Sequence, residues 1–416
     1  MVIRAARAAQ RMTQVQLGQK CGYSASAISR VEAGLLRPAE RTLALMAEAL
    51  GLLPSAIGLD RPATLTTEVT QDQEDAMLRR QLLAAGVAAA GVSMLPSPAG
   101  AAPQDPATRI LGALYEPLTA EPITGRQLAL LLHEAREHFT AARYQALGVV
   151  LPNLLGAAEA TRECLTGRAR EEAHGLVARA WVLATELAVK SHADIAWATA
   201  DRALAAAQAS GDPVVRGEAA RVLAITMRRA GRPAAAVDLL RRSADLLASD
   251  STAESQAVAA TLLLTAAYTA ACGQRRSDAL DLMTGAEDAV ARLAVESHPP
   301  RGKLFTVDAT ESQVALYWMG VHTVLGTPDQ GVPYAASIAP QQLPSAERRA
   351  RFGTDSARMW HRLGDHRRTF VALRFVEQAA PEELRRPALR ALTADLLYTP
   401  VALPGVREFA RRTGVA

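Results

Sequence analysis

The stretch from Thr13 to Gly34 constrains the fold more tightly than any other part of the chain. Thr13 is placed to cap a helix, and Gln16, three residues on, completes a capping box. Leu17 and Cys21 stand four apart on that helix and so share a buried face. Gly22 follows, where a helix stop needs a residue that tolerates positive φ. Ser24 caps the next helix. In it Ile28 and Val31 point inward, while Ala25, Ser26, Ser29 and Arg30 point out. Gly34 ends that helix. Pro38 and Thr42 open a third helical run with Leu43, Met46, Ala47 and Leu50 on its apolar face, and Ile3, Ala6 and Ala9 supply a leading helix. Two short helices joined by a tight turn, the second presenting small polar residues and an arginine, suit insertion into the DNA major groove.

Over roughly residues 1–60 the chain resembles the Cro/lambda-repressor-like (XRE) helix-turn-helix family. The match is carried by Thr13–Gln14, Leu17, Gly22, Ser24, Ser26, Ile28–Ser29–Arg30, Glu32, Gly34, Pro38, Thr42–Leu43 and Pro54. The resemblance implies a five-helix DNA-binding domain whose recognition helix, about residues 24–33, enters the major groove. Carried over position by position, it makes Ala25, Ser26, Ser29 and Arg30 the base readers. Gln14, Ser24 and Arg37 become the phosphate contacts. Arg30 carries most of the sequence information, because a guanidinium pairs bidentately with guanine O6 and N7, and Ala25 suits a thymine methyl. The implied partner is double-stranded DNA bearing an inverted repeat, read by a homodimer with half-sites about 34 Å apart. The chain begins almost at the first helix, so either its start is truncated or there is no arm for the minor groove.

Composition extends the helical reading to all 416 residues. Hydrophobic content is 49% but aromatic content only 4%, so the core is built from Ala, Leu and Val and the fold class is all-α. The formal net charge is +4. Residues 1–60 hold seven basic side chains (Arg4, Arg7, Arg11, Lys20, Arg30, Arg37, Arg41) against Glu32, Glu40, Glu48 and Asp60, a local excess of +3. That bias suits a phosphate partner. It is modest, so dimerisation is expected to supply the rest of the affinity. Lys20, Lys190 and Lys303 are the only lysines and Asn153 the only asparagine, which points to a high-GC genome of actinobacterial kind. Cys21, Cys164 and Cys272 follow no spacing motif, and no N-terminal signal is evident; the expectation is a reduced, cytoplasmic protein.

Residues 61–106 break the pattern and read as a linker. Within it, Arg79–Arg80 precede an apolar run, Leu82–Leu95, followed by Pro96, Pro98, Pro103 and Pro106. Taken alone this looks like a twin-arginine export signal. It is internal, however, and the 14-residue run is too short for a bilayer of about 30 Å at about 1.5 Å per residue. A short helix packed on protein is expected, with no membrane contact.

From residue 107 to 416 a turn followed by an Ala/Leu-rich helix recurs. The turns fall near Ser191, Gly231, Gly273, Gly326 and Gly364, at spacings of 40, 42, 53 and 38 residues. A near-fixed period of that size is the mark of an α-solenoid of helical hairpins. The hairpins resemble degenerate tetratricopeptide repeats over about 170–398, on Gly231 to Ala236 and on Asp201–Arg202–Ala203–Leu204 with Gly211–Asp212–Pro213. Arg407, Glu408, Arg411 and Arg412 give the closing helix the polar face that a terminal repeat needs. Taken whole, the arrangement resembles actinobacterial regulators that join an XRE domain to a tetratricopeptide-like sensor and dimerisation domain.

Catalytic chemistry has no support. His133 and His138 are five apart, whereas a helical zinc site needs four. No phosphate cradle, nucleophile elbow or cofactor fingerprint is present, so no catalytic residue, metal or cofactor is expected. The first helix of each hairpin is expected to face a groove, and the aromatics along it either pack the core or line a site for a peptide or small-molecule signal. Its candidates are Trp181, Arg228, Tyr268, Tyr317, Trp318, Arg358, Trp360 and His361, with arginine taking a carboxylate. The alternative is a repeat scaffold for a partner protein, with DNA binding only for placement.

Overall fold

The computed structural model describes residues 3, 6–7, 10, 12–21, 25–32, 40–50, 105–115, 120–191, 194–296, 305 and 309–415. Among the described residues every regular element is helical and there is no strand. The chain divides into two compact units, Met1–Ser93 and Met94–Ala416. Residues 51–104, with the Arg79–Arg80 segment, lie outside the described residues.

The N-terminal unit contains α1 (Gln14–Cys21), α2 (Ala25–Glu32) and α3 (Glu40–Ala49). The capping box forms: Gln16 N donates to Thr13 Oγ1 at 3.2 Å and Thr13 N donates to Gln16 Oε1 at 2.8 Å. Leu17, Ile28 and Met46, one from each helix, have no exposed surface. Cys21, Val31 and Leu50 pack around them, and Ile3 and Ala6 close the edge. Burying each of these large side chains contributes roughly 1.5–3 kcal/mol, which lets three short helices hold together.

The C-terminal unit opens with α4 (Thr108–Tyr115) and continues as paired helices. The pairs are α5 (Gly125–Thr140) with α6 (Tyr144–Cys164), α7 (Gly167–Lys190) with α8 (Ala196–Ser210), and α9 (Pro213–Arg229) with α10 (Pro233–Ala248). They continue as α11 (Ala253–Cys272) with α12 (Arg276–Glu296), α13 (Glu311–Val324) with α14 (Pro328–Ser337), and α15 (Ala346–Arg362) with α16 (His366–Ala379). A 3-10 turn at Pro381–Arg385 leads to α17 (Pro387–Leu397) and α18 (Val406–Arg412).

Local sequence explains the grammar. Five of the six first helices are started by a side chain that accepts from the first turn, Thr124, Asp212, Thr252, Thr310 and Ser345; Thr166 before α7 makes no such bond. The turn into the second helix needs one left-handed residue. Gly231, Gly326 and Gly364 supply it at φ 73°, 78° and 76°. Each such turn carries the same pair of bonds closing the helix end, as in Gly231 N to Arg228 O and Arg232 N to Met227 O. Two turns repeat that bonding without glycine. Ala142 and Gln274 stand in the left-handed region at φ 56° and 57°. The sequence places the third of these turns at Gly273, yet Gly273 keeps φ −80° and its neighbour takes the strain. Because Ala142 gives no glycine signal, paired helices begin at Gly125, well before the residue 170 expected for the array.

The first helices form a row, α5–α7–α9–α11–α13–α15, each packed on the next. The row also meets itself, since α15 packs on α5. One apolar core therefore joins Leu128 and Leu132 near its start to Ala357, Phe370 and Leu396 near its end. Helix α11 is long and apolar enough to cross a membrane by composition, but it lies packed among α9, α10, α12 and α13.

Candidate nucleic-acid interface and inner charge network

In the N-terminal unit the orientation of α2 is fixed by a polar clamp at its last residue. Glu32 accepts from Arg7 Nε at 2.6 Å, from Arg7 Nη2 at 3.0 Å and from Gln14 Nε2 at 2.8 Å. Arg7 also donates from Nη1 to Met12 O at 2.7 Å. The Glu32 side chain is 4% exposed, so these charge-assisted bonds tie α2 to the start of α1 and to the leading residues with little competition from water. The hydrogen bond to Glu32 raises the Arg7 pKa further. Burial pushes the Cys21 thiol up, consistent with its place on the apolar face.

Of the expected base readers, Ser29 is exposed on α2 and Ala25 is half-buried at its start. Ser26 and Arg30 belong to α2, and their side chains lie outside the described residues, as do Ser24 and Arg37 altogether. Gln14 sits beside α2 with one carboxamide N–H given to Glu32, which leaves its second N–H as the donor for a phosphate. Arg7 and the clamping role of Glu32 were not legible as a pair, because nothing local links residues 25 positions apart.

The second polar feature is the inner face of the first-helix row. Glu186 on α7 is shared by Arg136 on α5 and Arg221 on α9. Glu347 on α15 is shared by Lys190 on α7, at 2.6 Å, and Arg348. Glu383 in the 3-10 turn is shared by Lys190 and Arg386. Asp355 takes Arg351 at 2.5 Å and Arg358 at 3.8 Å. Each of these carboxylates serves two cations, and Arg228 stands near Arg351 and Arg358 with no carboxylate partner among the described residues. These pairs lock the end of the row to its start, since Lys190 spans α7, α15 and the 3-10 turn. Removing one member would strand a buried charge. Burial opposes ionisation of Glu347, but Arg348 and Lys190 overcome it and hold its pKa far below the usual carboxylate range.

Threonines on α11 extend the network. Thr265 and Thr269 give their protons to the carbonyls of Thr261 and Thr265, at 2.8 and 2.7 Å. Their oxygens are then acceptors for arginines of α9, with Arg221 Nε at 3.2 Å from Thr265 Oγ1 and Arg228 Nη1 at 3.1 Å from Thr269 Oγ1. The Tyr317 hydroxyl on α13 lies 3.4 Å from Thr265 Oγ1. Tyr268 meets Tyr317 edge-on at 6.3 Å and carries the guanidiniums of Arg228 and Arg351 at 5.0 and 5.6 Å from its ring centre. Gly320 lets the Tyr268 ring approach α13, because a Cβ there would stand 3.1 Å from the ring. Burial pushes the Tyr317 phenol up, yet the positive charges of Arg221 and Arg351 more than reverse this and bring it down to about 8.

Four of the eight expected groove residues therefore converge: Arg228, Tyr268, Tyr317 and Arg358. The other four do not. Trp181 has no exposed surface and donates its indole N–H to Glu159, so it is a core residue. Trp318 is buried, stacked on His322 and Tyr334, and donates to Glu287. It follows Tyr317 by one residue, and about 100° of helical rotation sends it to the opposite side. Trp360 lies under Arg368 of α16, and His361 faces Asp395 of α17, with its pKa lowered by burial. The signal for this network is a pair of polar stripes at helical spacing rather than the aromatics. The stripes are Glu347–Arg351–Asp355–Arg358 on α15 and Thr261–Thr265–Thr269 on α11, each four or three residues apart. No group of three or more His, Cys, Asp or Glu among the described residues is arranged to hold a metal ion. His138 instead accepts from Arg143 at 3.2 Å.

Comparison with known proteins bears on the first unit alone. Residues 3–56 match the helix-turn-helix family model. No curated protein and no solved structure matches the chain. Residues 3–56 thus carry a DNA-binding helix-turn-helix of the XRE type, and among the described residues every regular element of the chain is helical.

Proposed function

We propose that the protein is a sequence-specific transcriptional regulator that binds an inverted-repeat operator as a homodimer. The observation that carries this reading is α2: it lies within the matched helix-turn-helix, is clamped through Glu32, and presents Ser29 to solvent on the face assigned to bases. Ala25, Ser26, Ser29 and Arg30 read base edges, and Ser24, Arg37 and Gln14 take phosphates. The C-terminal unit is a tetratricopeptide-like array that senses a small-molecule signal and sets the separation of the two recognition helices. It carries out no catalysis and acts in the cytoplasm, with Cys21, Cys164 and Cys272 unpaired.

Selection from a random-sequence DNA library by the purified chain tests the reading. The expected product is an inverted repeat with half-site centres about 34 Å apart, or a multiple of that distance. Arg30→Ala should cost roughly 1–3 kcal/mol and relax one base position. A library that emerges without enrichment would remove the proposal. Stoichiometric capture of a partner protein together with that result would favour the scaffold reading.

A further inference from the structure

Among the described residues, three arginines around the end of α11 have a single carboxylate, Asp355, between them. Arg228 has no carboxylate partner among the described residues; its bonds are to the Thr269 hydroxyl and the Tyr268 ring. Arg358 has only the 3.8 Å contact with Asp355, whose nearer partner is Arg351 at 2.5 Å. These three guanidiniums come from α9 and α15 and surround Tyr268 and the end of α11. They are reachable from water: the side chains of Arg351 and Arg358 each keep 32% of their surface exposed, and Cys272 beside them is exposed. An unmatched buried cation costs free energy. Three arginines with one carboxylate between them, wetted and backed by hydroxyl groups, are suited to bind an anion.

We propose that Arg228, Arg351 and Arg358, with Tyr268 and Tyr317, form a binding site for a small ligand carrying two or more negative charges on phosphate or carboxylate oxygens. The arginines take the oxyanions by charge-assisted bonds, Tyr317 contributes its hydroxyl, and the Tyr268 ring fixes the guanidinium planes. Because the site joins α9, α11, α13 and α15, occupancy would draw those helices of the row together. The role of this site as the sensor rests on the regulatory reading above; the binding itself does not.

Calorimetric titration of the full chain with inorganic pyrophosphate and with citrate, at fixed ionic strength in chloride, tests the site. Saturable binding of at least one probe, with Kd below about 1 mM, is expected. Arg228→Gln and Arg358→Gln should each weaken it about tenfold or more, since each removes a charge-assisted contact. Arg242→Gln, at an exposed position on α10, should leave it unchanged. Neither replaced arginine of the site holds a short ion pair, so both variants should keep the parent melting temperature. Pyrophosphate alone binding assigns a phosphate ligand, and citrate alone a carboxylate. Failure of both probes to saturate, or an equal loss in the Arg242 control, would overturn the site. The DNA library selection run on the same preparation separates the two ideas. Selected DNA without anion binding refutes only the site, and anion binding without selected DNA refutes only the regulatory reading.

Discussion

Replacing Glu32 with alanine should loosen the N-terminal unit and expose Cys21. The variant loses two bonds from Arg7 and one from Gln14, all to a side chain that is 4% exposed. Arg7 keeps its bond to Met12 O and is itself 15% exposed, so water replaces part of what is lost. The full cost of breaking a buried pair, about 3–5 kcal/mol, therefore does not apply, and about 2 kcal/mol is the reasonable figure. A change of that size multiplies the open population about 30-fold. Cys21 supplies the probe, since its side chain is buried while Cys164 and Cys272 are exposed. In a background carrying Cys164→Ser and Cys272→Ser, the rate of Cys21 labelling by an aromatic disulfide reagent tracks the opening equilibrium when closing is fast. The Glu32→Ala chain should label about 30 times faster than its parent, and Glu32→Gln, which retains an acceptor for Arg7, should fall between them. Labelling within twofold of the parent would show that the clamp does not hold α2.

Three further outcomes follow from the C-terminal unit and the recognition helix. Gln274→Gly should raise the stability of that unit by about 0.5–1 kcal/mol by relieving a left-handed residue, and Gly364→Ala should lower it by a similar amount; both are read from the urea midpoint. Absorbance at 295 nm should show one tyrosine titrating near pH 8, and Tyr317→Phe should remove that phase. Since the folded phenol has the lower pKa, its contribution to stability is complete above about pH 10 and lost as pH falls through about 8. A urea midpoint in the parent that rises between those values, relative to Tyr317→Phe, checks the sign. Ser29→Glu should abolish DNA selection by placing a carboxylate against the bases and phosphates, without changing Cys21 labelling.

The core of the N-terminal unit could be read from the sequence because each short helix states its own period: Leu17 and Cys21, Ile28 and Val31, Met46 and Leu50 are all buried. The paired helices could be read wherever glycine marks the left-handed turn, as at Gly231, Gly326 and Gly364. They were missed at Ala142 and displaced by one residue at Gln274, where the same backbone is carried by residues that give no signal. The closure of the first-helix row was not legible. It depends on Tyr144 and Lys190 reaching Glu383, 239 and 193 residues away, and no local pattern encodes such a contact. Half of the expected groove residues were misplaced for a simpler reason: membership of a first helix does not say which way a side chain points. Tyr317 faces the inner network and Trp318 does not.

The most direct test of the account is selection of fragmented genomic DNA from the organism of origin by the purified full chain at near-physiological salt. A dimeric sequence-specific regulator should enrich an inverted repeat with a constant spacer, and the Arg30→Ala chain should lose that enrichment. Diffuse binding that weakens steeply with salt and is the same for the parent and Arg30→Ala would contradict it, because only phosphate attraction would then remain.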